Sequence, residues 1–165
     1  MAAALEGAFG EREGRRLLRR YVTPDTRSGL YREATAPEDV PADLEARMDR
    51  SHLRQVLWNL CDNAVKYASE TGGILVEIHA DRVQGQGRPY VEVRDHGLGV
   101  DASTAEKMFE PFYTERSGGT GLGLYISREL CELNRATLLY LDRPGGGSIF
   151  RIVFADPDRW ESAQK

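Results

Sequence analysis

The chain has 165 residues, room for one domain of ordinary size with a tail, and enough to bury a core without disulfide staples. With 41% hydrophobic and 29% charged residues it reads as soluble and globular, and no run nears the roughly 18 apolar residues that cross a membrane. A net charge of −4 argues against a dedicated nucleic-acid binder, so no nucleic-acid partner is expected.

The opening MAAALEGAFGEREGRR carries Glu6 and no basic region ahead of an apolar run, so a secretory signal is not expected. Residues 1–44 mix Arg with acidic residues, and Pro24, Pro37 and Pro41 interrupt any period; the segment reads as a weakly ordered lead-in or the remnant of an upstream region. Leu53, Val56, Leu57, Leu60, Cys61 and Ala64 then recur at helical spacing and predict an amphipathic helix over 51–68, closed by Gly72-Gly73. ILVEIHA (74–80) and YVEVRD (90–95) read as two strands of a hairpin. Ser103 and Glu106 have capping-box spacing and open a short helix that must stop by Pro111. A second helix is expected over 120–133, with Leu122, Ile126, Leu130 and Leu133 on one side. TLLYLD (137–142), the turn RPGGG and SIFRIVF (148–154) make a final hairpin before a polar tail over 155–165. The fold expected is α+β, a two-layer sandwich whose mixed, mainly antiparallel sheet carries helices on one face. Cys61 and Cys131 each lie inside an apolar helical pattern and read as small buried hydrophobes, neither a disulfide framework nor a metal cluster.

Three stretches carry chemistry. On the first helix Asn59, Asn63 and Lys66 are four and three apart and should project together from the side opposite the core. Exposed Asn is a mediocre helix former, and an amide oxygen is a fit ligand for Mg²⁺, with Lys66 placed to neutralise phosphate; the same stripe alone fits a solvated face equally well. DHGLG ends a strand at Asp95, whose carboxylate can accept from an exocyclic amine such as that of adenine, while Gly97 and Gly99 allow a close backbone approach. GLGVDA also matches a dinucleotide fingerprint, but that needs a long helix and a second parallel strand, and Pro111 cuts the helix short. SGGTGLGL places Gly118, Gly119, Gly121 and Gly123 at the start of a helix, a natural phosphate site through free N–H groups and the helix dipole. No Lys-Ser or Lys-Thr follows the last glycine, so it is not a Walker sequence.

In order and spacing NLCDNAVKY, DHGLG, FEPFY and GGTGLGL resemble the ATP-binding catalytic domain of bacterial sensor histidine kinases, part of the superfamily shared with gyrase, heat-shock chaperones and mismatch-repair ATPases. The resemblance covers about residues 45–154, and the wording around the motifs looks most like PilS-type sensors that control type IV pilus genes. It implies ATP and Mg²⁺ as cofactors. Asn63 would bind the metal with Asn59 beside it, Lys66 would meet phosphate, and Tyr67 would lie near the nucleotide. Asp95 would take the adenine amine, with Gly97 and Gly99 shaping that pocket, and Phe109 and Phe112 would anchor a mobile lid. Arg116 stands where a lid cation touches the terminal phosphate. The run Gly119, Thr120, Gly121, Leu122, Gly123, Leu124 would pack on the triphosphate, and Ser148 replaces a Thr frequent after the last glycines. Hydrolysing relatives carry a water-activating Glu where this chain has Asn59, which cannot act as a base near neutral pH; phosphoryl transfer suits the site better than hydrolysis.

A complete kinase of this kind also has a two-helix dimerisation hairpin with a phosphoacceptor His, and none of His52, His79 or His96 lies in such a motif. The partners implied are therefore a dimerisation domain bearing that histidine and the receiver domain of a response regulator. A membrane would be met only through an upstream anchor in the parent, this part being cytoplasmic. A stand-alone serine kinase of the anti-sigma-factor type and a non-catalytic nucleotide-binding module are the alternatives.

Overall fold

The computed structural model describes residues 44–68, 76–115 and 119–156. The expectations for residues 1–43, for the Gly72-Gly73 stop, for Arg116 and Gly118 and for the tail from 157 onward lie outside them. Asp49 opens the first helix, α1 (Arg50–Ala68): its Oδ1 accepts from the N–H groups of Ser51 and His52 at 2.8 and 3.0 Å. The backbone bond from His52 leads the effects that hold the Asp49 carboxyl below its usual range, against a smaller burial effect. Two strands follow, β1 (Val76–Arg82) and β2 (Pro89–Asp95), joined as the expected hairpin with Val76 opposite Asp95.

The short helix α2 (Ala102–Lys107) corrects one expectation. Its cap is Asp101, not a Ser103–Glu106 box: the Asp101 carboxylate accepts from the Thr104 N–H at 3.0 Å and from the hydroxyls of Ser103 and Thr104 at 2.7 and 3.0 Å. Ser103 thus sits inside the first turn and donates to the cap. The next helix, α3 (Gly123–Leu133), begins three residues later than expected because Gly121 holds φ +65, outside helical space. Asn134 ends it, donating from its amide to the Leu130 carbonyl at 2.7 Å and to His52 Nδ1 at 2.9 Å, while its Oδ1 accepts from the Asp49 N–H at 2.9 Å. One side chain so ties the end of α3 to the start of α1.

β3 (Thr137–Asp142) and β4 (Ser148–Val153) complete a four-stranded sheet in the order β1-β2-β4-β3. Every pairing among the described strands is antiparallel, with Val93 opposite Phe150 and Phe150 opposite Tyr140. Strand alternation sends Val93, Phe150, Ile152 and Leu138 to the face covered by α1 and α3, where Val56, Leu60 and Cys131 meet them in one buried cluster. The chain is thus the expected two-layer α+β sandwich with helices on one face. On the other face Glu92 is 0% exposed, its carboxylate forked between the guanidinium groups of Arg94 and Arg151. Arg151 also lies over the Tyr90 ring, 4.4 Å from its centroid. No described helix is long and apolar enough to cross a membrane.

Candidate functional site

A cavity of about 360 Å³ opens where the C-terminal half of α1 faces the end of β2, the loop after it, α2 and the first turn of α3. Asn63 and Tyr67 line it from α1, Asp95, Gly97 and Gly99 from the strand end and loop, Leu124 from α3 and Ser148 from β4. These seven expected site residues, distant in sequence, share one concave surface of the size that takes a small-molecule ligand.

Asp95 is the polar centre of this surface. It is only 3% exposed, and its Oδ1 accepts from the Gly97 N–H at 2.8 Å and the Ser148 N–H at 3.2 Å. Among the described residues no donor engages Oδ2, so one carboxylate oxygen is fixed by the backbone while the other remains an acceptor for whatever fills the cavity. The glycine turn of the β3–β4 hairpin is pressed against this strand end. A Cβ on Gly147, at φ +97, would collide with the Asp95 carbonyl oxygen.

The Asn59, Asn63, Lys66 stripe does not act as one face. Asn59 is turned to α3: its amide donates to the Gly123 carbonyl and to Ser127 Oγ, both at 3.2 Å, and Ser127 Oγ itself donates to the Gly123 carbonyl at 2.8 Å. Lys66 pairs with Asp62 one turn back. Neither lines the cavity, because the axis of α1 carries Asn59 beneath α3 while Lys66 stays at its exposed edge. Phe109 packs against the core and receives the Arg128 guanidinium 5.7 Å from its ring centroid. Phe112 is 74% exposed at φ +66, and its N–H donates to the Gly121 carbonyl at 3.0 Å. Gly121 is packed so closely there that a Cβ would run into the Phe112 backbone. Gly119, Thr120, Leu122 and Gly123 also stand outside the lining, and Thr120 Oγ1 accepts from the Leu122 N–H at 3.4 Å. Arg116 is outside the described residues.

Sequence reasoning missed the wall contributed by α2 and the segment after it: Asp101, Thr104, Met108, Tyr113 and Glu115. There Thr104 Oγ1 lies 3.0 Å from Asp101 Oδ2 and 2.5 Å from Glu115 Oε1, and receives the Tyr113 hydroxyl at 3.2 Å. The hydroxyl bond from Ser103 and the backbone and hydroxyl bonds from Thr104 lower the Asp101 carboxyl to about 2. A signal existed in the four-residue spacing of Thr104 and Met108, which puts both on the buried side of one turn. Phe150 was equally legible, two residues from Ser148 on the same strand face.

Among the described residues no group of three His, Cys, Asp or Glu could hold a metal ion, so a cation here would depend on an amide oxygen, phosphate and water rather than a protein cage. Both thiols are buried, which pushes Cys61 and Cys131 each up to about 12 and leaves them inert as nucleophiles. None of the three histidines lines the cavity. His52 is bonded to Asn134, His96 to Glu77 and Arg143, and His79 lies 3.8 Å from Glu77.

Comparison with known proteins agrees with this architecture. The sensor protein kinase PilS of Pseudomonas aeruginosa is 47% identical over 116 residues, 70% of this chain and 22% of that protein. The signal transduction histidine-protein kinase AtoS of Escherichia coli is 34% identical over 107 residues, 64% of this chain and 17% of that protein. The chain therefore spans about a fifth of the length of the curated relatives it matches. Among solved structures, the catalytic domain of histidine kinase ThkA superposes with a TM-score of 0.58 at 29% identity, over 69% of this chain and 72% of that one. Full-length ShkA in complex with AMPPNP gives 0.64 at 27% identity, over 91% of this chain and 29% of that one. The profile described as histidine kinase-, DNA gyrase B- and HSP90-like ATPase matches residues 48–158, and with two thirds of its length so matched the chain belongs to that family of ATP-binding domains.

Proposed function

We propose that this chain is the ATP-binding catalytic domain of a two-component sensor histidine kinase. The observation that supports it best is that Asn63 and Asp95, 32 positions apart, open onto the same cavity with Tyr67, Gly97 and Gly99 between them. In this reading Asp95 Oδ2 accepts from the adenine amine while Gly97 and Ser148 hold Oδ1 in place. Asn63 offers its amide oxygen toward the phosphate end, and Mg²⁺ bound there would neutralise triphosphate charge. Lys66 and Arg116 supply further positive charge, and the segment Gly119 to Leu124 feeds the triphosphate to the N-terminus of α3. Phe109 and Phe112 frame the base of the lid.

The reaction is an in-line transfer. A lone pair on the acceptor imidazole nitrogen attacks the γ-phosphorus, the bond to the β–γ bridging oxygen breaks, ADP leaves, and the imidazole gives up its N–H proton. The acceptor histidine belongs to a separate dimerisation domain, and an Asp of a response-regulator receiver takes the phosphoryl group next. Asn59 offers no base to activate water, which favours transfer over hydrolysis. Likeness to PilS supports a parent anchored in the inner membrane, with this domain on the cytoplasmic side and an output in type IV pilus control.

The test supplies the protein and labelled ATP with either a dimeric His-bearing helical hairpin or a small Ser-bearing antagonist protein. Acid-labile label on the hairpin is expected. Acid-stable label on the Ser protein makes this an anti-sigma-factor-type kinase, and binding without transfer to either makes it a nucleotide-binding module. Asn63→Ala is expected to keep metal-free nucleotide binding while losing most Mg²⁺-dependent transfer; unaltered transfer would move the metal site elsewhere.

A further inference from the structure

The loop that carries Asp95 is braced from outside the cavity by a three-residue relay that the proposed reaction does not use. His96, next to Asp95, places Nε2 2.9 Å from Glu77 Oε1 on β1 and Nδ1 2.6 Å from Arg143 Nη1 at the start of the β3–β4 turn. A guanidinium only donates, so Nδ1 accepts from Arg143 and the ring proton sits on Nε2, donated to Glu77. Arg143 also organises its own turn: its N–H donates to the Gly147 carbonyl at 3.4 Å, its carbonyl accepts from the Gly146 N–H at 3.1 Å, and Nη1 reaches the Gly146 carbonyl at 3.5 Å. The turn leads directly to Ser148, whose N–H holds Asp95 Oδ1, and Gly97 on the far side of His96 supplies the other donor. Both donors that fix the Asp95 carboxylate are thus flanked by the Arg143–His96 contact.

We infer that Arg143 is a positioning residue for the base pocket, acting through neutral His96, and that protonation of His96 breaks the hydrogen bond between them and weakens nucleotide binding. The inference rests on the cavity being the nucleotide site. Histidine is the side chain whose charge changes within the physiological range. A proton on Nδ1 removes the acceptor Arg143 uses and sets two cations side by side. The other charged groups around the ring do not substitute for that acceptor. Glu77 does face Arg143, with Oε1 3.8 Å from Nη2, but that is beyond hydrogen-bond distance and the same oxygen already holds Nε2; His79 faces the other Glu77 oxygen at 3.8 Å, Arg94 is held by Glu92, and Asp95 is engaged on the cavity side. Glu77 remains ionised to receive the imidazolium: burial opposes its charge, but the hydrogen bond from His96 and the charges of His96, Arg143 and His79 together lower its carboxyl. Acid therefore strengthens the tie to β1 and breaks the hydrogen bond to the turn, leaving Arg143 only its 3.8 Å approach to Glu77.

The test measures binding of ADP with Mg²⁺ between about pH 8 and about pH 5.5 for the wild type, His96→Asn and Arg143→Leu, the range over which histidine changes charge. Titration of the nucleotide's own phosphate is common to all three and cancels. The wild type is expected to lose about tenfold more affinity than His96→Asn across this range, a typical coupling between neighbouring sites. Arg143→Leu should bind at the higher pH as weakly as the wild type does at the lower. In parallel, nucleotide-free NMR should show the Ser148 amide resonance moving with pH over this range in the wild type and not in His96→Asn or Arg143→Leu. Parallel pH responses in the wild type and His96→Asn, or a Ser148 amide that ignores the ring, would overturn the relay. Should ADP bind at no pH the nucleotide reading fails, and the amide titration still decides whether Arg143 positions Asp95 through His96.

Discussion

Replacing Asp95 by Asn changes one oxygen to nitrogen in a side chain that is 3% exposed, and the structure fixes which end changes. The N–H groups of Gly97 at 2.8 Å and Ser148 at 3.2 Å both need an acceptor at the Oδ1 position. They draw the amide oxygen there and leave the NH₂ group on the cavity side. An acceptor aimed at the ligand becomes a donor facing a donor, with loss of a charge-assisted hydrogen bond and an unpaired amine on the base, about 2–3 kcal/mol together. At 1.4 kcal/mol per decade this is roughly 30–150-fold in Kd for ATP. The fold should survive, because both backbone donors keep a neutral acceptor; about 1 kcal/mol of lost stability corresponds to a fall of roughly 4–8 °C in Tm. Calorimetric titration with ATP and GTP makes the test sharper. The NH₂ group suits a purine bearing a carbonyl at that position, so the preference for ATP over GTP should narrow as ATP affinity falls. Unchanged ATP affinity with a well-folded variant would refute the assignment of Oδ2 to the base.

Gly121→Ala forces a side chain into φ +65 and into the Phe112 backbone, a cost of at least about 1–2 kcal/mol that should appear in thermal melts; an unaltered Tm would mean the Phe112–Gly121 contact gives way freely. Glu92→Gln leaves Arg94 and Arg151 without their shared carboxylate on the outer sheet face. Because both arginines remain partly exposed, the expected loss is about 2 kcal/mol rather than the larger value of a fully buried pair, read by urea unfolding, with Glu92→Leu as the comparison that removes the amide. Asp101 has its folded carboxyl lowered to about 2 from an unfolded value near 3.9, so its contribution is present above about pH 4 and lost as pH falls toward 2. The gap in Tm between the wild type and Asp101→Asn should therefore be full at about pH 5 and shrink across that window, whereas a gap constant with pH would remove the carboxylate from the cap.

The legible part of this molecule is the part dictated by local periodicity. Alternation in YVEVRD and SIFRIVF sets which residues face the helices, and the period of Leu53, Val56, Leu60 and Ala64 sets the buried stripe of α1, so the sandwich follows from hydrophobic pattern and two hairpin turns. The bottom of the site was legible for a similar reason. A strand ending in Asp95 before two close glycines, and a hairpin returning at Ser148, are neighbours as soon as β2 pairs with β4. The wall built by Asp101, Tyr113 and Glu115 was not, because it depends on how a six-residue helix docks after an irregular loop, and beyond the Thr104–Met108 spacing no period constrains the side chains there. The misplaced cap shows the same limit: Asp101 and Ser103 both have cap chemistry, and only the actual backbone decides which precedes the first turn.

Asn59 shows why angular spacing alone overreached. At 100° per residue Asn59, Asn63 and Lys66 fall within an arc of about 60°, so a wheel groups them correctly, but four residues also separate Asn59 from Asn63 by about 6 Å along the axis. That distance carries Asn59 past the cavity and under α3, where its NH₂ group meets the Gly123 carbonyl and Ser127 Oγ. A carboxylate at that position would bring a negative charge to a carbonyl oxygen and could donate nothing, so the packing of α1 on α3 itself calls for an amide. Asn59 is therefore a strut between the two helices.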